Sequence, residues 1–482
     1  MRFPKLSKVG LFAVAISTLL SFQSAIAQVE DAQATPDGEE NESQPARETP
    51  NFFSGENPSP PPSPTPAATP TEEQEPSDRG NFGIGKFARL PFHLSTSARA
   101  GYDDNLLTTG NQGQGSVFVG SNTELSYKFG DPRTNLSLKV GGGVTYYFDR
   151  STAPTPTPFP LPFPTPPPPP PPTFQSYDVD VHLGLSLTHK LTQRLTLGAD
   201  VNTSYQTQPN FSANAGTNRR SGNYLYSSDM LSATYQWLPR FVTETSYHLS
   251  VVQYDNSEIG ASQDRVEQIF GNQISFAIWP TTQLFGEYRF GIVTYDQAPF
   301  DSTSQFFLGG FKHNFDPHFG VVVLGGLELR SFTTNGGNLS QPYFDGTLNY
   351  ALGQRTTLGW TNHYSLEEAG VAGIQSRTTF RTGLQMTHKL APRISANVAF
   401  YFVHDDYPAG PRPPRILPPP FPRPLGSPEF TEDSLDVTIG IRYELNRTFS
   451  IDIDYDRTEL MSEFASREYS RNRYFAGLNL TF

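Results

Sequence analysis

The feature that most constrains this chain is a period-two alternation of apolar and polar side chains, which starts near Phe92 and continues to Phe482. In the last such segment, one face carries only apolar side chains, namely Tyr474, Ala476, Leu478, Leu480 and Phe482. This alternation is typical of a β-strand with an apolar environment on one side and water on the other. Residues 91–482 are therefore predicted to form one all-β domain.

Short turns interrupt the alternation at regular intervals, and many of them end in Arg. They lie at about 131–133, 191–194, 238–240, 280–282, 316–318, 353–355, 391–393 and 445–447. Longer polar, Gly-rich or Pro-rich segments lie between them. Short turns at one end and long loops at the other are the organisation of transmembrane β-barrels, whose short turns are periplasmic. The pattern predicts an antiparallel up-and-down barrel of about 18 strands, with 16 as the alternative count.

The N-terminus predicts export. Arg2, Lys5 and Lys8 precede an apolar run from Val9 to Leu20, and Ala25-Ile26-Ala27 follows. This is the pattern of a secretory signal peptide over residues 1–27. No later segment has the roughly 18 continuous apolar residues that a membrane-spanning helix requires. Any span of the membrane is therefore expected to be β, in the outer membrane of a Gram-negative bacterium.

Residues 28–90 are expected to form a Pro-rich, acidic and disordered leader. Between 28 and 80, 12 acidic residues stand against Arg47 and Arg79, a net charge of −10. The segment has too few apolar residues to offset the entropy lost on ordering, and its Pro run at 58–66 favours polyproline II. Two functions fit this segment: a periplasmic spacer, or a tether for the cell wall or another periplasmic partner.

Several classes of site are disfavoured. The chain has no Cys, which excludes disulfides and thiolate metal sites. It has no convincing phosphate-binding loop, no His-based metal spacing and no basic patch for nucleic acid, so no cofactor is expected. Pro tracts at 154–172 and 408–428 cannot join a hydrogen-bonded ladder and are predicted to lie in long outer loops.

The alternation also predicts which charged residues face the lumen. In the last three strands these residues form a charge ladder of Arg442, Glu444, Asp452, Asp454, Asp456, Arg471 and Arg473. If Asp454 pairs with Arg471, then Asp452 pairs with Arg473. The ladder fixes the strand register or selects solutes by charge. Tyr147 and Tyr401 also fall on the inward face and are candidates for contacts with a passing glycan.

Two polar clusters lie where strands are expected to end at the outer side. Asp103-Asp104-Asn105 ends the first strand, and His404-Asp405-Asp406 ends the fifteenth. Outer-membrane proteases of the omptin type use paired Asp and a His-Asp dyad at the barrel rim, and Ca²⁺ binds such oxygen-rich clusters. Asp and Asn are equally ordinary at strand exits, where they bond their own backbone. We expect no enzymatic activity.

The segment from Ala98 to Leu106, with Tyr102, Asp103, Asp104 and Asn105 at its centre, resembles the start of the putative β-barrel porin 2 family. The resemblance covers roughly residues 90–482 and implies an outer-membrane barrel of a kind encoded with exopolysaccharide systems. The final strand resembles the signal that the barrel-assembly machinery reads, with Tyr474, Leu478, Leu480 and Phe482 on its apolar face.

The expected function is a pore for small hydrophilic solutes or for polysaccharide export. One alternative is a plugged structural or adhesive surface barrel that presents the Pro-rich loops, and another is an omptin-like rim hydrolase. Expected partners are outer-membrane lipid, the assembly machinery and the transported solute.

Overall fold

A computed structural model of the chain describes residues 92–482 except for 109, 111–112, 150–175, 209–221, 335–336, 372–373, 410–427 and 465–466. The expected signal peptide and leader lie outside the described residues. So do the first Pro tract and nearly all of the second.

Eighteen strands and one short helix, α1 (Ser257–Gln263), make up the regular structure of the described residues. No described helix is long and apolar enough to cross a membrane. The strands are β1 (Phe92–Asp103), β2 (Ser116–Gly130), β3 (Thr134–Tyr147), β4 (Tyr177–Lys190), β5 (Leu195–Gln206), β6 (Tyr224–Leu238), β7 (Phe241–Tyr254), β8 (Arg265–Trp279), β9 (Thr282–Tyr295), β10 (Ser302–Asp316), β11 (Phe319–Phe332), β12 (Asn338–Leu352), β13 (Thr356–Glu368), β14 (Ser376–Ala391), β15 (Ile394–Tyr407), β16 (Phe430–Glu444), β17 (Phe449–Ser462) and β18 (Tyr469–Thr481).

Each strand pairs antiparallel with its neighbours in the chain, and β1 also pairs with β18. The sheet is therefore a closed up-and-down barrel, and the predicted count of 18 strands is confirmed. All eight predicted short turns lie at one end of the barrel, which also holds the start of β1 and the end of β18.

Side chains in the short turns replace backbone hydrogen-bond partners. The Asp131 carboxylate accepts the N–H groups of Thr134 and Arg133 at 2.6 and 2.7 Å, and these bonds hold the pKa of Asp131 below its usual value. The Asn446 side chain accepts from Thr448 and Phe449 in the same way, at 2.8 and 2.9 Å. Asp and Asn favour such turns because their short side chains reach the backbone two or three residues on.

The outward face of the barrel is an apolar band. Phe307 and Ile453, near the middle of their strands, are 52% and 62% exposed. Trp237 and Trp279 lie on the same face beside the short turns, and Tyr146 and Phe148 lie on it at the other end of the barrel. An exposed apolar band with aromatic residues at both of its edges is the surface of a barrel that lies in lipid.

Inward-facing glycines let side chains meet across a strand. Gly141 of β3 lies between Glu124 and His182 in the register, and the His182 imidazole reaches over it to the Glu124 carboxylate at 3.2 Å. A side chain at position 141 would occupy the space of the imidazole. Glycine at this position of the strand therefore allows close packing of neighbouring side chains over the barrel wall.

The seam between β1 and β18 closes the barrel. Its register runs from Ser95 opposite Thr481 to Asp103 opposite Arg473. At the turn end, Leu94 and Phe482 exchange backbone hydrogen bonds of 3.1 and 2.8 Å. Closure leaves no free edge among the described strands, and an edge would expose unpaired N–H and C=O groups.

We predict that Gly101→Ala destabilises the barrel. The added Cβ would meet the Tyr474 carbonyl oxygen, the Phe118 ring at 2.6 Å and the Phe475 Cβ at 2.7 Å. Overpacking of this kind typically costs about 1–3 kcal/mol. Urea unfolding should therefore show a lower midpoint than that of the unsubstituted protein.

The matched control is Gly184→Ala in β4. Its Cβ would meet Asn202 at 3.6 Å and Lys139 at 3.7 Å, which are ordinary contacts. Equal midpoints for the two variants would contradict the tight packing of the seam.

Candidate functional site: the barrel lumen

Buried ion pairs line the inner wall toward the long-loop end. On three strands an Arg and a Glu two residues apart share the inward face. These pairs are Arg265–Glu267 of β8 at 2.7 Å, Arg289–Glu287 of β9 at 2.6 Å and Arg330–Glu328 of β11 at 2.9 Å. We call these six residues the ion-pair belt. Because each charge lies beside an opposite charge, the belt can be buried without leaving a charge uncompensated.

Side chains of the belt also bridge strands that are not neighbours. Arg330 donates to Glu368 at the end of β13 at 2.8 Å, and the Tyr295 hydroxyl of β9 donates to the same carboxylate at 2.6 Å. Arg289 donates to the Tyr343 hydroxyl of β12 at 3.1 Å. These bonds span strands two to four positions apart, so they lie across the inner surface of the wall.

Beneath the Arg289–Tyr343 bridge, the inward face is apolar. Six inward side chains form a buried cluster there, consisting of Phe285, Phe306, Leu308, Val322, Leu324 and Tyr343. The Tyr343 ring packs edge-on against Phe306 at 5.7 Å and lies under the Arg289 guanidinium. The wall of β9–β12 therefore has a small apolar core on its inner side, covered by charged groups.

A second charged group lies on β14 and β15. Arg377 donates to the Asp405 carboxylate at 3.0 Å and to the Tyr407 hydroxyl at 2.9 Å. Thr379 donates to the other oxygen of Asp405 at 2.7 Å. Asp405 is fully buried, and its two oxygens are both bonded.

Two inward side chains on opposite walls lie near this group. An electrostatic interaction connects the Tyr226 hydroxyl of β6 with Arg265 of β8 and with Arg381 of β14. β6 and β14 are eight positions apart in a ring of 18 strands. Tyr226 and Arg381 therefore face each other across the lumen, and Arg381 lies 3.6 Å from the Glu367 carboxylate.

The predicted charge ladder lies on the inward face, but the expected pairing is wrong. Arg471 is opposite Thr458, not Asp454, and Arg473 is opposite Asp456, not Asp452. The observed register differs from the expected one by four residues of β17, and a shift of register changes every cross-strand pair.

The contacts of the ladder follow this register. Arg442 pairs with Asp452 at 2.7 Å, and Asn479 also donates to Asp452. Asp456 lies 3.8 Å from Arg473. Asp454 is opposite Gly440 and Phe475, and Glu444 is exposed near the turn end.

The motif that carries the family resemblance, residues 102–105, forms hydrogen bonds across the β1–β18 seam. The Asp103 carboxylate is fully buried and accepts from Arg471, including an Nε–H bond of 3.0 Å. Asp104 accepts the backbone and side-chain N–H groups of Asn472 at 2.7 and 2.6 Å. Asn105 donates to the Ser470 carbonyl at 2.8 Å. Tyr102 points outward and is exposed.

The carboxylates of this motif do not converge on one point, as the ligands of a Ca²⁺ ion would. Asp103 faces the lumen and Asp104 bonds the outward-facing Asn472, so the two carboxylates diverge. Among the described residues, no group of three or more acidic or His side chains could hold a metal ion.

Tyr147 and Tyr401 face inward, yet neither offers an open ring. Tyr147 is 1% exposed and packs against Phe118 in a buried cluster with Leu106. The Tyr401 ring lies over Gly383, and its hydroxyl accepts from Gln385. The expectation that these rings contact a passing glycan does not fit their burial.

His404 does not form the dyad of a rim hydrolase. Its imidazole bonds Asp433 of β16 at 2.7 Å, and both residues are on the outward face of the barrel. Asp405, its neighbour in the sequence, points inward to Arg377. The cluster is therefore divided between the two faces of the sheet: Asp405 faces inward, whereas His404 and Asp406 lie on the outward face.

The sequence contained a signal for the belt. Arg-Val-Glu at 265–267, Glu-Tyr-Arg at 287–289 and Glu-Leu-Arg at 328–330 each place opposite charges two residues apart, on one face of a strand. The signal is incomplete, because Arg457 and Glu459 share the spacing but lie on the outward face.

A closed barrel with an apolar, aromatic-edged exterior and a charged interior is an outer-membrane β-barrel of the porin kind. The family model described as "Putative beta-barrel porin 2" matches residues 84–482, and the chain belongs to that family. The protein is thus a porin-like barrel of the bacterial outer membrane.

Several solved outer-membrane proteins are similar to this chain. OpdK of Pseudomonas aeruginosa, solved with vanillate, is 10% identical with a TM-score of 0.43, covering 81% of this chain and 99% of that chain. OccAB4 of Acinetobacter baumannii is 12% identical with a TM-score of 0.40, covering 81% and 98%. The siderophore receptor PirA of Pseudomonas aeruginosa is 8% identical with a TM-score of 0.35, covering 82% and 80%. No curated protein sequence matches the chain at a significant level.

We predict that Arg471→Ala strongly destabilises the barrel. The substitution would leave the Asp103 carboxylate buried with only Arg473, 3.8 Å away, as a nearby cation. Removing one partner of a buried pair typically costs about 3–5 kcal/mol. The loss should appear as a lower midpoint in urea unfolding.

Arg442→Ala is the matched control, because the Arg442 side chain is 53% exposed and also pairs with an Asp across strands. An exposed ion pair typically contributes less than about 1 kcal/mol to the free energy of unfolding. If both variants lower the urea midpoint by the same amount, the Asp103–Arg471 ion pair does not stabilise the β1–β18 seam more than an exposed ion pair would.

Proposed function

We propose that the barrel passes small hydrophilic solutes across the outer membrane. The observation that carries this proposal is the inward placement of the ion-pair belt, within a wall whose outer face is apolar. A charged inner surface is suited to water and to polar solutes, and a path that passes through it would favour molecules that form hydrogen bonds.

The placement of Tyr226 and Arg381 on facing walls of the lumen supports selection of solutes by hydrogen bonding. A guanidinium and a phenol on opposite walls would hold polar solutes by direct bonds. Small solutes fit this arrangement better than polysaccharide, since Tyr147 and Tyr401 are packed into the wall and do not form an aromatic track.

A second candidate is a plugged structural or adhesive barrel. The observation that favours it is the depth of burial in the belt, where Arg289 and Glu328 are each 1% exposed. Side chains that line a wide aqueous channel would be more open than these. In this case the barrel would serve mainly to present its long loops.

We also propose that the protein is not an enzyme. His404 and Asp104 form hydrogen bonds with Asp433 and Asn472 on the outward face of the barrel and do not face each other across a common site. Substituting both with Ala should leave any hydrolytic activity of the preparation unchanged. We also propose that Tyr474, Leu478, Leu480 and Phe482 form the assembly signal, and that residues 1–27 and 28–90 are a signal peptide and a periplasmic leader.

We predict a steady ion current when the purified protein inserts into a planar lipid bilayer. Because an ion current requires a continuous water-filled path through the barrel, this measurement distinguishes the open pore from the plugged barrel. Insertion that is verified by protease protection but remains electrically silent would favour the plugged barrel and contradict the pore.

We further predict that Tyr226→Ala raises the single-channel conductance, because it removes an inward ring that faces Arg381 across the lumen. Tyr288→Ala is the control, since Tyr288 is on the outward face and 41% exposed. A similar conductance for both variants would mean that Tyr226 does not limit the path.

A further inference from the structure

A tetrapeptide occurs twice in the chain, each time where a strand runs into a short turn. Thr-His-Lys-Leu stands at 188–191, at the end of β4, and again at 387–390, at the end of β14. The strands that pair with these ends, β3 and β13, open with the same dipeptide, Arg-Thr, at 133–134 and at 355–356. The same side chains therefore meet in two separate strand pairs at the short-turn end of the barrel.

The Thr and the His are joined across the strands in both places. Thr134 is opposite His189 in the register, and its hydroxyl oxygen lies 2.9 Å from the imidazole Nδ1. Thr356 is opposite His388, with the same two atoms 2.8 Å apart. Both imidazoles are half-buried on the outward face, and within the described part of the chain their Nε2 atoms have no hydrogen-bond partner. The Thr therefore orients the ring and leaves Nε2 to bind a further group.

Two exposed cations adjoin each of these imidazoles. The Lys190 N–H donates to the Arg133 carbonyl at 2.7 Å, and the Lys389 N–H donates to the Arg355 carbonyl at 2.8 Å. Each Arg thus lies opposite a Lys, one residue beyond the Thr–His pair, and all four side chains are exposed. None of the four forms a side-chain ion pair or hydrogen bond with any other residue that the structure describes.

We call these two groups of side chains the first and the second donor cluster. The first consists of Arg133, His189 and Lys190, and the second consists of Arg355, His388 and Lys389.

A third Thr–His pair at the same end lacks the cations. The Thr282 hydroxyl oxygen of β9 lies 2.7 Å from Nδ1 of His313 of β10, and the Asn314 N–H donates to the Thr281 carbonyl at 2.9 Å. Thr281 therefore takes the place of the Arg, and Asn314 takes the place of the Lys. Because the strands pair in the same way without the cations, strand pairing does not account for the repeated Arg and Lys.

Both donor clusters lie where the barrel meets the headgroups of the inner leaflet, since the short turns are periplasmic. Exposed Leu191 and Leu390 directly follow the two Lys residues, so apolar surface adjoins the donors. Guanidinium and ammonium groups form charge-assisted hydrogen bonds with phosphate, and an imidazole N–H adds another donor. Anionic headgroups also attract basic side chains near a membrane surface.

We propose that each donor cluster binds the phosphate of an anionic phospholipid, whose acyl chains then lie along the apolar band of the wall. Binding is tighter at the second cluster. Asp131 lies within electrostatic range of His189 in the first cluster, whereas the turns 353–355 and 391–393 beside the second contain no acid. The proposal concerns the outer wall, so it stands whether or not the lumen conducts ions.

Native mass spectrometry of the full chain in a nonionic detergent tests the proposal, with phosphatidylglycerol as the probe. Phosphatidylglycerol should bind more tightly than phosphatidylcholine, whose choline neutralises the phosphate charge. Arg355→Gln should weaken the binding of phosphatidylglycerol about fivefold, the effect of one cation beside an anionic headgroup. This substitution keeps the backbone bond to Lys389 and the Thr356–His388 bond, so the strands remain paired. His388→Ala should also weaken the binding.

Arg447→Gln is the matched control for Arg355→Gln. Arg447 is also an exposed turn arginine that precedes a Thr, but the Thr448 carbonyl accepts from Thr481, and no His lies there. His313→Ala is the control for His388→Ala. Both controls should bind phosphatidylglycerol as the unsubstituted protein does.

Three results would overturn the proposal. Equal losses in Arg355→Gln and Arg447→Gln would mean that the turns attract lipid only through their general charge. Equal binding of phosphatidylglycerol and phosphatidylcholine would remove the anionic headgroup as the ligand. Displacement of the lipid by millimolar inorganic phosphate would identify free phosphate as the occupant of the clusters.

Discussion

The pairing of β1 with β18 is the contact on which the rest of this structure depends. Every other pair of neighbouring strands is joined by a turn or loop, so its register is limited by the length of the connection. The seam joins segments almost 400 residues apart and has no such connection. Its register is instead set by specific contacts: Asp103 with Arg471, Asp104 with Asn472, and the paired backbone bonds of Leu94 and Phe482.

Closure has consequences for the interior. Once the sheet is a ring, one face of every strand is turned away from lipid, and charged residues can be held there if they find partners. In the ion-pair belt, each charged residue finds a partner because opposite charges lie two residues apart on one strand. Hydrogen bonds to Glu368 and Tyr343 also join the belt to strands that are not neighbours. Inward glycines such as Gly141 then provide the room for side chains to cross from one neighbour to the other.

Much of the fold could be predicted from the sequence, because it depends on local patterns. Alternation defines the strands, and turns such as Asp131-Pro132-Arg133 define their ends, so the strand count was correct. Pairing across the barrel could not be predicted in this way. The Asp454–Arg471 pair was wrong because alternation assigns a residue to a face of the sheet but not to a partner on the next strand. The placement of Tyr226 opposite Arg381 depends on the closure of the whole ring.

The central claim is that the chain closes into one ring with the β1–β18 register described above, and a disulfide cross-link in outer membranes tests it most directly. Ser97 and Asn479 are opposite each other on the inward face, whereas Ser97 and Thr481 are one inward position out of register. With Cys at 97 and 479, we predict efficient oxidative cross-linking and a shifted band on a denaturing gel; Cys at 97 and 481 should link poorly. No cross-link in the first variant, or equal cross-linking in both, would contradict the closed barrel.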